Sequence, residues 1–273
     1  MQIEVSRKSA KQLLNRASGY LEGYSHTLNP YTGCAFACSY CYVRQMPVAL
    51  FRGGGDWGTW VDVKDNASLL LENELVKAKR KGPVTIFMSS STDPYQPAEV
   101  TERVTRSLLE VMVRNQPDFL FLQTRSPLVT RDMDLLELLG AHVRVSMTVE
   151  TDREDIRRAF TPSAPPIAAR LRALRELAAR GIPVQATIAP ALPSSESFAE
   201  LLSHIVDRVC IDDYFMGDGS KGKRTERIGV RDIYDALELP DWYSPEAYER
   251  VREQLLRYFP QERVFVSHEG FLP

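Results

Sequence analysis

No stretch of the 273 residues approaches the roughly 18 consecutive apolar residues that a helical membrane span requires. Charge imbalance is also nearly absent. The 34 Lys and Arg residues against 36 Asp and Glu leave a net charge of -2, without the basic excess of a protein whose main task is gripping duplex nucleic acid. Residues 1–16 mix charged and apolar types and lack the apolar stretch of a signal peptide. The expected location is therefore cytoplasmic, with no membrane partner, in a compartment where disulfides are rare. There is no low-complexity tract and no sequence repeat. The 44% hydrophobic and 26% charged residues are ordinary globular composition, which excludes disorder as the main state. Cysteine is scarce, with four in all, and that scarcity makes its distribution informative: three of the four fall within the eight residues 34–41.

The rest of the chain alternates short apolar runs with helical patterns. Strands are expected at 26–28, 84–88, 119–123, 143–148, 184–188 and 208–211, with a seventh at 264–267. Such runs, bounded by turn residues, suit strands buried on both faces of a parallel sheet. Helices are expected at 67–81, 101–115, 130–139, 166–180, 194–206 and 245–259. Asn66 and Thr130 are read as N-caps, and Gly82, Gly140 and Gly181 as stops. In the second of these, Val104, Leu108, Val111 and Met112 share one face. Repeated strand–helix units demand right-handed crossovers. The expected fold class is therefore α/β, a partial (β/α)6 TIM-type barrel of parallel strands with outer helices. One domain over 1–273 is expected, with its barrel core at about 26–215 and a C-terminal extension at about 216–273. In such folds the chemistry sits on loops at the C-terminal ends of strands.

The loop after the first core strand reads Asn29-Pro30-Tyr31-Thr32-Gly33-Cys34-Ala35-Phe36-Ala37-Cys38-Ser39-Tyr40-Cys41-Tyr42. Three thiolates at this spacing can turn toward one point, and thiolates are the ligands of iron–sulfur clusters. Three cysteines on a four-iron cube leave one iron open to a small molecule. A Cys3His zinc site, with His26 or His204 as fourth ligand, is the alternative, and with it a non-catalytic zinc- or nucleic-acid-binding module. Zinc sites of this kind usually pair two separated cysteine knuckles, whereas a single knuckle is visible here.

The Cys34-x3-Cys38-x2-Cys41 spacing, with Tyr40 before the last cysteine, resembles the signature of the radical S-adenosylmethionine (SAM) family. The run Ser91-Thr92-Asp93-Pro94-Tyr95-Gln96-Pro97, and Tyr42 after the signature, resemble its spore photoproduct lyase-like branch. The resemblance covers roughly residues 28–190. It implies a radical SAM enzyme in which Cys34, Cys38 and Cys41 hold a [4Fe-4S] cluster. An electron from the cluster cleaves S-adenosyl-L-methionine, and the resulting 5′-deoxyadenosyl radical abstracts hydrogen from a substrate. It further implies that Tyr40 and Tyr42 lie near the cofactor, with Ser91, Thr92 and Asp93 at its ammonium group. Arg125, where the branch commonly has Lys, falls near its carboxylate. Ser146 and Glu150 are read at the ribose or carboxylate, and Ile188 or Ala189 against the adenine. A flavodoxin- or ferredoxin-type reductant is the implied electron donor. The substrate stays open among small molecule, peptide and nucleic acid.

One departure bears on the branch. Spore photoproduct lyases carry a hydrogen-donating cysteine just before the Asp of the second-strand motif, and Ser90 stands there. A serine O–H bond is too strong to quench a carbon radical readily, so repair of thymine dimers is the secondary reading. Cys210 is expected to be a small core residue. The segment 217–229, with Lys221, Lys223, Arg224 and Arg227, reads as a solvated loop, with a clamp for substrate phosphate or carboxylate as the alternative.

Overall fold

In the computed structural model, which describes residues 3–51, 55–217 and 219–273, every expected core run is a strand. In chain order the strands are β1 (Glu4–Lys8), β2 (Asn15–Arg16), β3 (His26–Leu28), β4 (Tyr31–Thr32), β5 (Trp60–Lys64), β6 (Thr85–Met88), β7 (Phe119–Thr124), β8 (Val143–Thr148), β9 (Val184–Ile188), β10 (Val209–Ile211) and β11 (Val264–Val266). β3, β6, β7, β8, β9, β10 and β11 lie side by side in that order, all parallel, and β2 adds antiparallel to β3. Their apolar side chains are buried: Leu28, Ile86, Leu120, Leu122, Val145, Ala186 and Val209 are fully covered. The fold is α/β, a partial barrel in which β2 and β11 are the edges of an unclosed sheet.

Side chains close the gap that hydrogen-bonded strands leave. The Tyr20 hydroxyl donates to Asp212 Oδ2 at 3.0 Å and lies 3.1 Å from Ser267 Oγ. The Tyr24 hydroxyl donates to the Phe271 carbonyl at 2.6 Å. Beneath them Phe87 stacks on Phe121 with centroids 5.0 Å apart, and Phe271 meets Phe121 edge-on at 5.9 Å. Aromatic rings supply large buried areas without needing a strand ladder.

A second sheet, β1-β5-β4, was not expected from the sequence. β1 is charged and mostly exposed, so it carries no apolar pattern. Its register is held by Asp62 of β5, which accepts from Ser6 Oγ at 2.6 Å and Lys8 Nζ at 2.8 Å. All the expected helices but the second are shorter than their patterns. The second spans Glu99–Glu102 and Val104–Arg114, broken at Arg103, which has a left-handed φ of 53°. One of the two expected caps is corrected, and the other stands by position alone. Asn66 stands at the N-cap of the helix Ala67–Lys79, as read, but its amide makes no cap bond there and is spent on Ala10, accepting from its N–H at 2.8 Å and donating to its carbonyl at 2.9 Å. Thr130 lies inside a 3-10 turn, Pro127–Asp132, whose cap is Ser126. The segment 217–229 is not a plain loop either, because Lys223–Arg227 is helical; Asp218 lies outside the described residues.

Among the described residues no helix is long and apolar enough to cross a membrane. Phe121 is fully buried between Phe87 and Phe271. Phe121→Ala is expected to lower stability by about 3–5 kcal/mol, read as a shifted urea midpoint.

Candidate active site

A cavity of about 620 Å³ opens at the C-terminal ends of the parallel strands. Each strand contributes wall residues from the loop it leads into. Cys34, Cys38, Tyr40, Cys41 and Tyr42 follow β3, Ser89 to Asp93 follow β6, and Arg125 follows β7. Thr148 ends β8, Ala189 and Pro190 follow β9, and Asp212, Asp213 and Tyr214 follow β10.

The cysteine loop is fastened from four sides. Gly33 has a φ of 84°, and a Cβ there would stand 2.5 Å from Trp60, so only glycine lets the chain cross β5 this closely. Gln96, fully buried, accepts from the Ala35 N–H at 2.9 Å and donates to the Gly33 carbonyl at 3.1 Å. The Ser39 N–H donates to the Phe160 carbonyl at 2.9 Å. Arg44 donates to the carbonyls of Ala37 and Cys38 at 2.7 and 3.1 Å. Asn29 joins this loop to the next wall, accepting from the Ser91 N–H at 3.1 Å. None of the three thiols is in a disulfide, and burial raises the pKa of all three, Cys41 to about 11.

Behind the wall lies a buried ionic network. Asp93 accepts from Thr124 Oγ1 at 2.7 Å and from the Arg125 and Tyr95 N–H groups at 2.8 and 2.9 Å. The Arg125 guanidinium donates to Glu150 Oε1 at 2.6 Å and to the Tyr40 hydroxyl at 2.8 Å. Tyr40 donates its own proton to the same Glu150 oxygen at 2.5 Å. Burial works against ionising Glu150, but the charges of Arg170 and Arg125 prevail and hold it below the usual carboxylate range.

The model for the radical SAM superfamily matches residues 28–205, well over half of the chain. The chain belongs to the radical SAM superfamily. An uncharacterised protein of Methanocaldococcus jannaschii is 34% identical over 191 residues, 70% of this chain and 69% of its own length. An uncharacterised protein of Mycobacterium tuberculosis is 29% identical over 209 residues, 76% of this chain but 60% of its own length. Among solved structures, a spore photoproduct lyase variant superposes with a TM-score of 0.65 at 14% identity, covering 96% of this radical SAM chain and 81% of the lyase. Another variant, holding AdoMet and a dinucleoside spore photoproduct, gives the same TM-score at 15% identity. These two likenesses establish the fold.

Superfamily membership implies a [4Fe-4S] cluster and S-adenosylmethionine, and the donor set suits them. Three unpaired thiols share one cavity wall. Among the described residues no three His, Cys, Asp or Glu side chains are grouped as ligands of one metal ion. A four-iron cube spreads three thiolates over three separate irons, so its cysteines need not converge in that way. Neither His26 nor His204 lines this cavity. His26 Nδ1 is 2.8 Å from Ser25 Oγ, and His204 is exposed behind the helix Phe198–Ser203.

Cys34, Cys38, Cys41, Tyr40, Tyr42, Ser91, Thr92, Asp93, Arg125 and Ala189 are thus brought to one cavity, whereas Ser146 and Glu150 are not. Ser146 is fully buried, 2.6 Å from Thr187 Oγ1. The two-residue strand period puts it on the face of Thr148 but one layer deeper. Glu150 stands behind Tyr40 and Arg125 and reaches the cavity through them. Cys210 is a buried core residue. Sequence reasoning missed Gln96, Asn29 and Asp212. The first lay within a motif already singled out, and the last two sites beyond Cys210, in a position that a parallel barrel directs to the rim.

Asp212 is 6% exposed, and its Oδ1 has no hydrogen-bond partner. Burial, with the Asp213 charge adding to it, pushes the carboxyl up to about 7 against the hydrogen bonds from Tyr20 and Ser267. The unfolded chain ionises this group near its ordinary value of about 3.9. Between the two values the folded state binds more protons, so stability falls as pH rises. Asp212→Asn is expected to match the parent in urea unfolding at about pH 4 and to exceed it by on the order of 2–4 kcal/mol at about pH 8. Gln96→Leu is expected to keep the far-UV circular dichroism of the parent but to lower iron bound per chain after anaerobic reconstitution, since the cysteine loop loses both amide bonds.

Proposed function

We propose that this radical SAM enzyme holds a [4Fe-4S] cluster on Cys34, Cys38 and Cys41, cleaves S-adenosylmethionine reductively, and abstracts hydrogen from a substrate within the same cavity. The observation that carries this reading is the shared wall: three unpaired thiols, the Ser89–Asp93 turn and Arg125 face one 620 Å³ space. When bound, cluster and cofactor together supply a 5′-deoxyadenosyl radical.

The chain's own residues bind and orient. Asp93, fixed by three donors, offers a carboxylate to the cofactor's ammonium group beside Ser91 and Thr92. Arg125, held through one guanidinium nitrogen by Glu150 and Tyr40, serves the carboxylate. Ala189 gives the adenine an apolar wall, and Thr148 takes the place read for Ser146. The substrate side is the β10 end, where Asp212, Asp213 and Tyr214 line the cavity opposite the cysteine loop in strand order. The cavity surface is largely apolar, which suits chemistry from which water and oxygen must be kept. The electron comes from an outside one-electron donor of the flavodoxin or ferredoxin type.

Repair of thymine dimers is the second reading. It is favoured by the likeness in fold to the lyase that holds a dinucleoside photoproduct. Ser90, which lines the cavity where that chemistry wants a hydrogen-donating thiol, weighs against it. Cys38→Ala is expected to abolish both cluster uptake and release of 5′-deoxyadenosine by the dithionite-reduced protein; full cleavage in that variant overturns the assignment. A dithymine photoproduct left unchanged by cluster-replete protein removes the repair reading alone.

A further inference from the structure

One member of the buried network touches neither the cavity nor any sequence motif. Arg170, in the helix Ile167–Ala179, is fully buried. Its Nε donates to the Pro165 carbonyl at 2.9 Å, and its Nη1 to the Thr148 carbonyl at 3.2 Å and Glu150 Oε2 at 2.6 Å. The other Glu150 oxygen receives Tyr40 and Arg125, both of which line the cavity. A buried guanidinium is costly to desolvate, and an apolar side chain of similar volume fills such a space more cheaply. Packing therefore does not explain an arginine here.

Charge does. Asp93 and Glu150 contribute two negative charges in and behind the wall, and Arg125 and Arg170 two positive ones, so the set is balanced. Tyr40, which donates to Glu150 and accepts from Arg125, stands between Cys38 and Cys41 in the loop and so ties this set to the cysteines. Without Arg170 the set carries one net negative charge next to three thiolates. Reduction of an iron–sulfur site adds one further negative charge, so a nearby buried cation favours the reduced state.

We propose that Arg170 is a positioning residue that sets the reduction potential of the iron–sulfur site, by holding Glu150 against Tyr40 and Arg125 and by balancing the charge behind the cysteine loop. This rests on the cluster assignment above. Reduction here is one electron passing from an external one-electron donor to the cluster, with no bond made or broken.

The test is a dithionite redox titration of the anaerobically reconstituted full chain, followed by electron paramagnetic resonance. Arg170→Met is expected to shift the midpoint to more negative potential, by about tenfold in the reduction equilibrium, which is about 59 mV for one electron. Arg125 still faces Glu150 in that variant and keeps it ionised. Glu150→Gln is expected to shift the midpoint the opposite way. The double variant Arg170→Met with Glu150→Gln restores the balance and is expected to return close to the parent value, and Arg170→Lys to stay near it. A purely structural role makes the double variant at least as disturbed as the single ones. Should Arg170→Met fail to assemble a cluster, the positive shift of Glu150→Gln carries the reading, and no shift there overturns it. A parent cluster that cleaves the cofactor but whose potential ignores Arg170 overturns this proposal alone. A parent chain that takes up no iron overturns the cluster assignment, and this proposal with it.

Discussion

A parallel sheet delivers the C-terminal end of every strand to the same rim, and the arrangement of this molecule depends on that constraint. Backbone pairing of β3 with β6, and onward to β10, makes neighbours of loops that are far apart in sequence. Cysteines near residue 40, an aspartate at 93 and a carboxylate at 212 meet across one cavity because each lies on the segment that leaves the C-terminal end of a parallel strand. The backbone turns sharply to get there: Gly33, Ala37 and Ser89 have left-handed φ values of 84°, 48° and 78°. The small sheet β1-β5-β4 then does local work: it gives the cysteine loop a floor on which Gly33 can lie against Trp60.

The charged residues behind that wall are organised for geometry. Two arginines and a phenol share one carboxylate, Glu150, all largely out of water. Buried ion sets of this kind add little net stability once desolvation is counted. What they provide is direction, since a guanidinium fixed by one nitrogen has its remaining donors aimed rather than sweeping through solvent. Glu99 plays a comparable part lower down. Fully buried, it accepts from Tyr31, from the Thr105 and Arg106 N–H groups and from Arg131, and so joins the start of the cysteine loop to the helices behind it.

Much of this was legible in the sequence, and what was not has a common cause. The core strands are short runs of apolar residues buried on both faces, so composition alone announces them. The cysteine triad, Ser91 to Asp93 and Arg125 follow those strands directly, and the fold class then fixes the rim on which they stand. β1 stayed hidden because Glu4, Ser6, Arg7 and Lys8 carry no apolar signal and pair with a strand more than fifty residues away. Ser146 lies below the cavity lining, a placement that alternation does not reveal because it identifies the face of a strand but not the layer within a barrel. Gln96 and Arg170 act through bonds to backbone and to a carboxylate that converge only in three dimensions. Gln96 lies within a recognisable run whose pattern does not show these bonds, and Arg170 has no local pattern at all.

The aromatic seam that closes the barrel joins residues 20–24 to residues 267–271, as in the bond from Tyr24 to the carbonyl of Phe271. During vectorial synthesis these partners emerge about two hundred and forty-seven positions apart, so the flank stays unzipped until nearly all of the described chain has left the ribosome. The thiols at 34–41, by contrast, precede residues 267–271 by more than two hundred positions. A nascent chain therefore carries its sulfur atoms on an unsealed flank until that seam can form.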